Sequence, residues 1–301
     1  MILHRSNHFI NALCMVISIL VLANTPVPVY AADTGNALLH IPATGRRQQF
    51  ENNVIIDTSN LAHGYVMCKY TGSASKFAIQ VDQNNSGKVY TYCIYSDGEY
   101  IAIPLTQGNG RYTVQAWEYF TGNLYTFATK MTVNVSLEND VLPFLYSSHM
   151  IRFQEDSLAV EKGQEIARTA NGNAATIAAV YDFIVDNIRY DHDKAAQISA
   201  GYISNPDATL SSGKGICVDY SALMATMLRS QGIPVQMIYG YEPTGAYHCW
   251  VRVFSTEAGQ VGNIELAADK WTLLDPTYAA NANANTSKIL NTSSYNSNFI
   301  Y

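Results

Sequence analysis

The sequence predicts an α+β domain that follows an all-β domain, and three observations support this prediction. Between residue 53 and about residue 135, apolar and polar residues alternate with a period of two, which indicates half-buried strands. After Pro143 the apolar residues recur at helical spacing instead. Strand-like segments return after these helices, and helices followed by antiparallel strands are typical of an α+β domain.

Turn-forming residues divide the first region into short strands. They recur about every ten residues, for example at Asp97-Gly98 and Gly108-Asn109-Gly110, a spacing that suits antiparallel hairpins. We therefore expect an Ig-like β-sandwich of about seven strands over residues 53–140. Its many tyrosines form either a carbohydrate- or peptide-binding face or, more commonly, ordinary cross-strand packing. These tyrosines are Tyr90, Tyr92, Tyr95, Tyr100 and Tyr112.

The second region, residues 150–301, contains three predicted helices. Ile177, Val180 and Ile184 mark one face of a helix over residues 173–187, and an earlier helix starts near Ser157. A third helix follows Cys217 and ends at Gly232-Ile233-Pro234. Strands are predicted at residues 235–241, 247–254 and 271–274. The Asn-, Ala- and Ser-rich tail over residues 279–298 is expected to be mostly irregular.

The first 31 residues have the pattern of an export signal. A short basic start leads into an apolar run of about 15 residues, shorter than the roughly 20 residues that a membrane-spanning helix needs. Ala31, with Val29 upstream, fits the small-residue cleavage pattern. The expected product is secreted and carries no membrane segment after cleavage, and residues 32–52 form its leader or linker.

Composition limits the classes of partner and site. With 18 basic and 24 acidic residues, and no Lys/Arg cluster beyond Arg46-Arg47, the chain lacks the basic patch typical of nucleic-acid binding. Four cysteines would remain after cleavage, namely Cys68, Cys93, Cys217 and Cys249. An even number in an exported chain allows a disulfide, and Cys68 with Cys93 is the one pair considered.

Cys217 stands where a glycine-containing loop turns into a predicted helix. The unpaired N–H groups and partial positive charge of a helix N-terminus favour a thiolate and can bind the oxyanion that forms when it attacks an acyl carbon. The commoner role of such a cysteine is a small buried apolar group. A catalytic thiolate would also need a base and a group that orients the base.

His248 and Asp275 are candidates for these two roles. His248 lies in one predicted strand and Asp275 ends another, so pairing of the strands would let the carboxylate hold one ring nitrogen while the other faces Cys217. Zinc is the competing use of Cys and His, but there is no Cys-x-x-Cys spacing, and Cys249 must point to the strand face opposite His248. We expect neither a metal nor a cofactor.

The sequence resembles the transglutaminase-like superfamily over about residues 150–280. The resemblance rests on five segments: Gly-x-Cys-x-Asp-Tyr (215–220), Ser-Gln-Gly-Ile-Pro (230–234), Tyr-Gly-Tyr (239–241), Tyr-His-Cys-Trp (247–250) and Trp-x-Leu-Leu-Asp-Pro-Thr-Tyr (271–278). It implies a papain-like core of helices packed on an antiparallel sheet, with a catalytic triad of Cys217, His248 and Asp275. Cys249 departs from the small alanine that is common beside the family's histidine. An upstream side chain implied as second oxyanion donor is either Tyr190 or Tyr202.

The resemblance also implies a reaction class. The Cys217 thiolate would attack the amide carbonyl of a protein or peptide substrate, cell-wall peptides included, and form a thioester. With water as the acceptor the protein would be a protease or amidase, and with a lysine amine it would be a cross-linking transglutaminase. We favour the hydrolytic hypothesis. A different class of function is a non-catalytic protein that binds a cell-surface or cell-wall ligand through its β-sandwich.

Overall fold

The computed structural model describes residues 42–199, 201–281 and 294–301, so the expected signal peptide over residues 1–31 lies outside the described residues. Within these three ranges, no helix combines the length and the hydropathy required to span a bilayer.

In the described chain, residues 48–135 form two four-stranded antiparallel sheets. The strands are β1 (Gln48–Glu51), β2 (Val54–Asp57), β3 (Tyr65–Tyr70), β4 (Lys76–Gln83), β5 (Tyr90–Tyr95), β6 (Ile101–Pro104), β7 (Gly110–Thr121) and β8 (Leu124–Val135). One sheet has the order β1-β2-β3-β6 and the other β5-β4-β7-β8. Strand β1 thus lies within the segment expected as leader or linker.

The inward faces of the two sheets form one apolar core, because alternate residues of each strand point inward. Tyr90, Tyr92 and Tyr112 belong to this core and are almost fully buried. These three tyrosines therefore pack across strands, whereas Tyr95 is 80% exposed. Cys68 and Cys93 are both free: Cys68 is buried in the core and Cys93 is exposed on the other sheet.

The second region consists of helices and an antiparallel sheet. Its elements are α1 (Leu158–Thr169), α2 (Asn173–Asn187), β9 (Arg189–Tyr190), α3 (His192–Gln197), α4 (Pro206–Ser212), β10 (Lys214–Gly215), α5 (Cys217–Arg229), β11 (Val235–Tyr241), β12 (Tyr247–Ser255), β13 (Gly259–Val261), β14 (Ile264–Leu266), β15 (Lys270–Leu274), α6 (Pro276–Ala280) and β16 (Asn296–Ile300). The main sheet has the order β15-β12-β11-β16, and every neighbouring pair is antiparallel.

Helix α5 lies at the centre of this region. Its apolar side chains share one core with α1, α2 and the near face of the sheet, including Val251 and Val253 of β12. Burial on nearly all sides explains why α5 is apolar around most of its circumference. The first residue of this central helix is Cys217.

The predicted fold class is confirmed: helices pack on an antiparallel sheet, and an all-β sandwich precedes them. Helix α2 and strand β11 have the predicted bounds, and α1 begins one residue after Ser157. Strand β16 was not anticipated, since it lies mostly within the tail expected to be irregular.

Candidate active site

The start of α5 is fixed by the carboxylate of Asp219, the third residue of the helix. Ile216 is the N-cap residue, with an extended backbone, and its N–H donates to Asp219 Oδ2 at 2.9 Å. Asp219 thereby satisfies a main-chain donor at the helix N-terminus, where a negative charge also complements the helix dipole. Cys217 is the first helical residue and is partly exposed, so its thiol is accessible at the positive end of a buried helix.

Gly215 leaves room for the main chain to pass close to the Asp219 side chain as it enters α5. A Cβ at this position would lie 2.6 Å from Asp219 Cβ and 3.2 Å from Thr209 Cγ2. Any larger residue would have to displace the side chain that holds the helix N-terminus. The glycine of the motif is thus required by close packing beside Cys217.

His248 and Asp275 come together where β15 stops pairing with β12. The last paired residue of β15 is Leu274, opposite Val251, so the first residues of β12 have no partner on that side. Asp275 follows Leu274 at this gap, and its Oδ2 lies 2.9 Å from His248 Nε2. Asp275 is fully buried, and the His248 side chain is 11% exposed.

The ring orientation assigns the second nitrogen of His248. Because Nε2 is bonded to Asp275, Nδ1 is the nitrogen available to the Cys217 thiol. Burial lowers the pKa of His248, but the hydrogen bond to Asp275 and the interaction with Cys217 outweigh burial and raise the pKa to about 10. At neutral pH the ring is therefore an imidazolium that can stabilise a thiolate on Cys217.

The Asp275 carboxylate is held at three points. Its Oδ1 accepts the Tyr278 N–H at 3.0 Å, which caps helix α6. Its Oδ2 accepts both His248 Nε2 and the Tyr295 hydroxyl, the latter at 3.0 Å. A buried carboxylate is costly without hydrogen-bond partners, and here three donors supply them.

Three tyrosines lie near the Cys217 thiol. Tyr190, Tyr239 and Tyr247 all interact electrostatically with Cys217. Burial, followed by other nearby acidic groups that include Cys217, raises the pKa of all three, so their hydroxyls are protonated donors at neutral pH. Tyr190 lies in β9 and pairs with Gly215 of β10, two residues before Cys217.

The two candidate oxyanion donors have different surroundings. The Tyr202 hydroxyl donates to Asp219 Oδ1 at 2.8 Å and accepts from Lys194 Nζ at 3.2 Å, so it belongs to the carboxylate that caps α5. Tyr190 is the one that interacts with Cys217. Of these two tyrosines, Tyr190 is therefore the one placed near Cys217, and Tyr202 is placed at Asp219.

A family model described as the transglutaminase-like superfamily matches residues 161–276. This range starts in helix α1, contains the whole of α5 and ends immediately after Asp275, so it includes the three residues that meet at the start of α5.

Residues 161–276 form a transglutaminase-like domain.

The similar proteins include two curated relatives. One is a UPF0252 protein of Methanocaldococcus jannaschii, 30% identical over 86 residues, which are 26% of this chain and 24% of the relative. The other is a protein-glutamine gamma-glutamyltransferase of Pseudomonas aeruginosa, 30% identical over 112 residues, or 30% of this chain and 14% of the relative. The alignments thus span less than a quarter of the length of either relative.

A solved structure of a candidate cysteine protease from Cytophaga hutchinsonii is also similar. It is 16% identical, with a TM-score of 0.39, and the match covers 79% of this chain and 83% of that one.

Cys249 and Trp250 directly follow His248 in β12, and both are buried. Cys249 is fully buried in the core between α5 and the sheet, on the strand face opposite His248. Trp250 is also fully buried, and its ring stacks near His248 at a centroid distance of 6.4 Å. Within the described ranges, no three His, Cys, Asp or Glu side chains cluster as metal ligands.

Sequence reasoning missed two groups that contact this site. Lys194, in the short helix α3, forms an ion pair with Asp219 at 2.8 Å. Tyr295 reaches Asp275 from the end of the chain. Neither stands in an apolar periodic pattern or a family motif, so a search based on those two signals could not have found them.

Proposed function

We propose that this protein is an exported cysteine hydrolase that cleaves amide or peptide bonds of a protein or peptide substrate through a thioester on Cys217. The observation that carries the proposal is the His248 ring, which is held by Asp275 at 2.9 Å on Nε2 and interacts with the Cys217 thiol at the N-terminus of α5. Cell-wall peptides are among the substrates that an exported enzyme would meet. Export is proposed from the N-terminal sequence alone.

The chemistry follows from this geometry. The Cys217 thiolate adds to the carbonyl carbon, and main-chain N–H groups at the start of α5 receive the oxyanion. The carbon–nitrogen bond then breaks, and the amine leaves with a proton from His248 Nδ1. Nδ1 next takes a proton from a water molecule as that water attacks the thioester carbonyl. The carbon–sulfur bond then breaks, which releases the acid and restores the Cys217 thiolate.

Asp275 keeps the His248 ring in place throughout this cycle. Its carboxylate is buried and accepts from His248 Nε2, so the ring cannot rotate away while Nδ1 gives up and regains its proton. The acceptor is water in the hydrolytic proposal and a lysine amine in the alternative. The Pseudomonas relative is named for transfer of a gamma-glutamyl group from protein glutamine, so a glutamine side chain is a reasonable first donor to test.

The two acceptors can be separated in one assay. Purified protein is incubated with casein, with and without a fluorescent primary amine, alongside Cys217→Ala and the control Cys93→Ala. Hydrolysis predicts new termini or released ammonia without amine incorporation, in wild type and in Cys93→Ala but not in Cys217→Ala. Amine incorporation that depends on Cys217 would replace the hydrolase with a transferase, and unchanged turnover in Cys217→Ala would refute both.

Thiol labelling tests the activated cysteine without a substrate. Accessibility alone predicts faster labelling of Cys93, which is exposed, than of Cys217, which is only partly exposed. Activation by His248 and the helix N-terminus predicts the reverse near neutral pH, because the thiolate is the reactive species. With iodoacetamide and peptide mass spectrometry, we expect Cys217 to react first and to slow to the rate of Cys93 or below in His248→Ala. Faster labelling of Cys93 in the wild type would contradict the proposal.

A further inference from the structure

The last described segment of the chain, residues 294–301, returns to the triad from the far edge of the sheet. Strand β16 pairs with β11, on the side of β11 away from β12. Tyr295 lies just before β16 and is buried, with 8% of its surface exposed. Its ring contacts the Trp250 ring at a centroid distance of 4.8 Å, in an edge arrangement.

The Tyr295 hydroxyl and the His248 ring bond to the same carboxylate oxygen. The distances to Asp275 Oδ2 are 3.0 Å for the hydroxyl and 2.9 Å for Nε2. The other oxygen, Oδ1, is held by the Tyr278 N–H. The main chain thus fixes one oxygen of the carboxylate, and a tyrosine side chain fixes the oxygen that holds the histidine.

We propose that Tyr295 is a positioning residue for the reaction, which fixes Asp275 Oδ2 so that His248 keeps Nδ1 aimed at Cys217. This inference rests on the proposed function, because it assigns Tyr295 a part in the catalysis proposed for Cys217. Tyr295 itself acts through Asp275 and does not touch the substrate or the thiol.

The hydroxyl is suited to act as a permanent donor. Burial, followed by the negative charge of Asp275, raises the pKa of Tyr295 above its ordinary value, so the hydroxyl keeps its proton over the working pH range. Its ring is locked against Trp250, and the Trp250 ring in turn stacks near His248. The hydroxyl therefore approaches the carboxylate from one direction only.

Tyr295→Phe tests this role because it removes the hydroxyl and leaves the ring packed against Trp250. Loss of one hydrogen bond to a charged group weakens the positioning of His248 in the transition state. We therefore expect kcat to fall about ten-fold, with KM unchanged. We also expect the downfield proton resonance of His248 Nε2–H to move, since its acceptor oxygen has lost a second donor. An unchanged kcat together with an unchanged resonance would overturn the proposal.

Two further variants separate positioning from strand anchoring. Tyr90→Phe removes the hydroxyl that accepts the Ile300 N–H at 3.3 Å, so it loosens the same segment without touching Asp275. We expect it to leave the His248 resonance in place. In an Asp275→Ala background, Tyr295→Phe should cost no further activity, and a full additional ten-fold loss there would mean that Tyr295 does not act through Asp275.

The resonance also distinguishes this proposal from the proposed function. It is measured on resting protein, and it should move with Tyr295→Phe even in a Cys217→Ala background. Full turnover by Cys217→Ala would refute the catalytic role of the cysteine, whereas an unmoved resonance would refute the link from Tyr295 to His248. If Tyr295→Phe fails to fold, 3-fluorotyrosine at position 295 keeps the ring and alters the donor, and the same resonance should still move.

Discussion

His248 combines burial with two partners that favour its charged form, and this combination determines how the site responds to pH. Burial alone would favour the neutral ring, but Asp275 and Cys217 raise the pKa to about 10. Since the unfolded value is about 6.5, the raised pKa stabilises the folded state fully below about pH 6.5. That contribution is lost as the pH rises through about 10.

The alkaline side of the activity profile should report the same group. We expect kcat/KM to fall as the pH passes about 10, because His248 then loses the proton that, in the proposed mechanism, it gives to the leaving amine. Asp275→Asn removes the largest contribution that raises this pKa, so the fall should move to lower pH. The pH–rate profile and an NMR titration of the His248 ring measure this pKa, and Asp269→Asn, at an exposed position, is the control. An alkaline limb that stays in place in Asp275→Asn would contradict this assignment.

Gly215 stands two residues before α5 and packs against Asp219 of that helix. An alanine here would bring Cβ within 2.6 Å of Asp219 Cβ, so either the loop or the capping carboxylate must move. We expect Gly215→Ala to lower the free energy of unfolding by about 1–3 kcal/mol, as overpacked sites do, and to reduce activity by displacing Cys217. Urea unfolding and the casein assay measure the two effects. Lys214→Ala, at the exposed neighbour, should change neither, and wild-type stability in Gly215→Ala would contradict the prediction.

At the scale of elements, Asp219 joins three segments around the start of α5. Its carboxylate accepts from Ile216 N–H, from the Tyr202 and Ser204 hydroxyls, and from Lys194 Nζ. All four bonds lie between 2.7 and 2.9 Å, and the carboxylate is fully buried. The loop that follows α3 is thus tied directly to the helix that begins at Cys217.

Removal of this charge should weaken the whole cluster. We expect Asp219→Asn to lower the free energy of unfolding by about 2–3 kcal/mol, because hydrogen bonds to a buried charge are worth more than neutral ones and the amide cannot accept from four donors. Asp193→Asn, at an exposed position of α3, is the matched control and should have no effect in urea unfolding. Equal stabilities for the two variants would show that the cluster contributes nothing.

The elements that the sequence predicted are those with strong periodicity or a motif. Helix α2 shows its buried face at Ile177, Val180 and Ile184, and the triad stands in segments that resemble the family. Helix α3 has six residues and no buried side chain, so it leaves no periodic signal. The role of Tyr295 depends on β16 pairing with β11, a long-range contact that an Asn-rich tail does not encode locally.

At the scale of the whole molecule, β16 joins the sandwich to the transglutaminase-like domain. Tyr301 packs in the sandwich core, and the Thr106 hydroxyl donates to the Ile300 carbonyl at 2.6 Å. On the other side, Met237 of β11 exchanges two main-chain hydrogen bonds with Tyr301. The two cores therefore share this strand, and a substitution that detaches it should destabilise both.

Arg229 at the end of α5 is the buried group that ties these parts together. Its guanidinium donates to the main-chain carbonyls of Tyr146, Val235 and Tyr301. These carbonyls lie in the segment between the domains, in β11 and next to β16. Arg229 is fully buried, so its planar fork cannot be replaced by water, and a lysine cannot reach all three acceptors.

We therefore expect Arg229→Lys to lower the free energy of unfolding by about 3 kcal/mol, since a single ammonium cannot replace the guanidinium hydrogen bonds to these buried carbonyls. Calorimetry should show one unfolding transition in the wild type and a broadened or split transition in the variant, because the strand that couples the two cores has lost its anchor. Arg168→Lys, at an exposed position of α1, should unfold like the wild type. A single transition at the wild-type temperature in Arg229→Lys would mean that the other contacts of β16 and Tyr301 couple the two cores, and that the buried guanidinium is not what joins them.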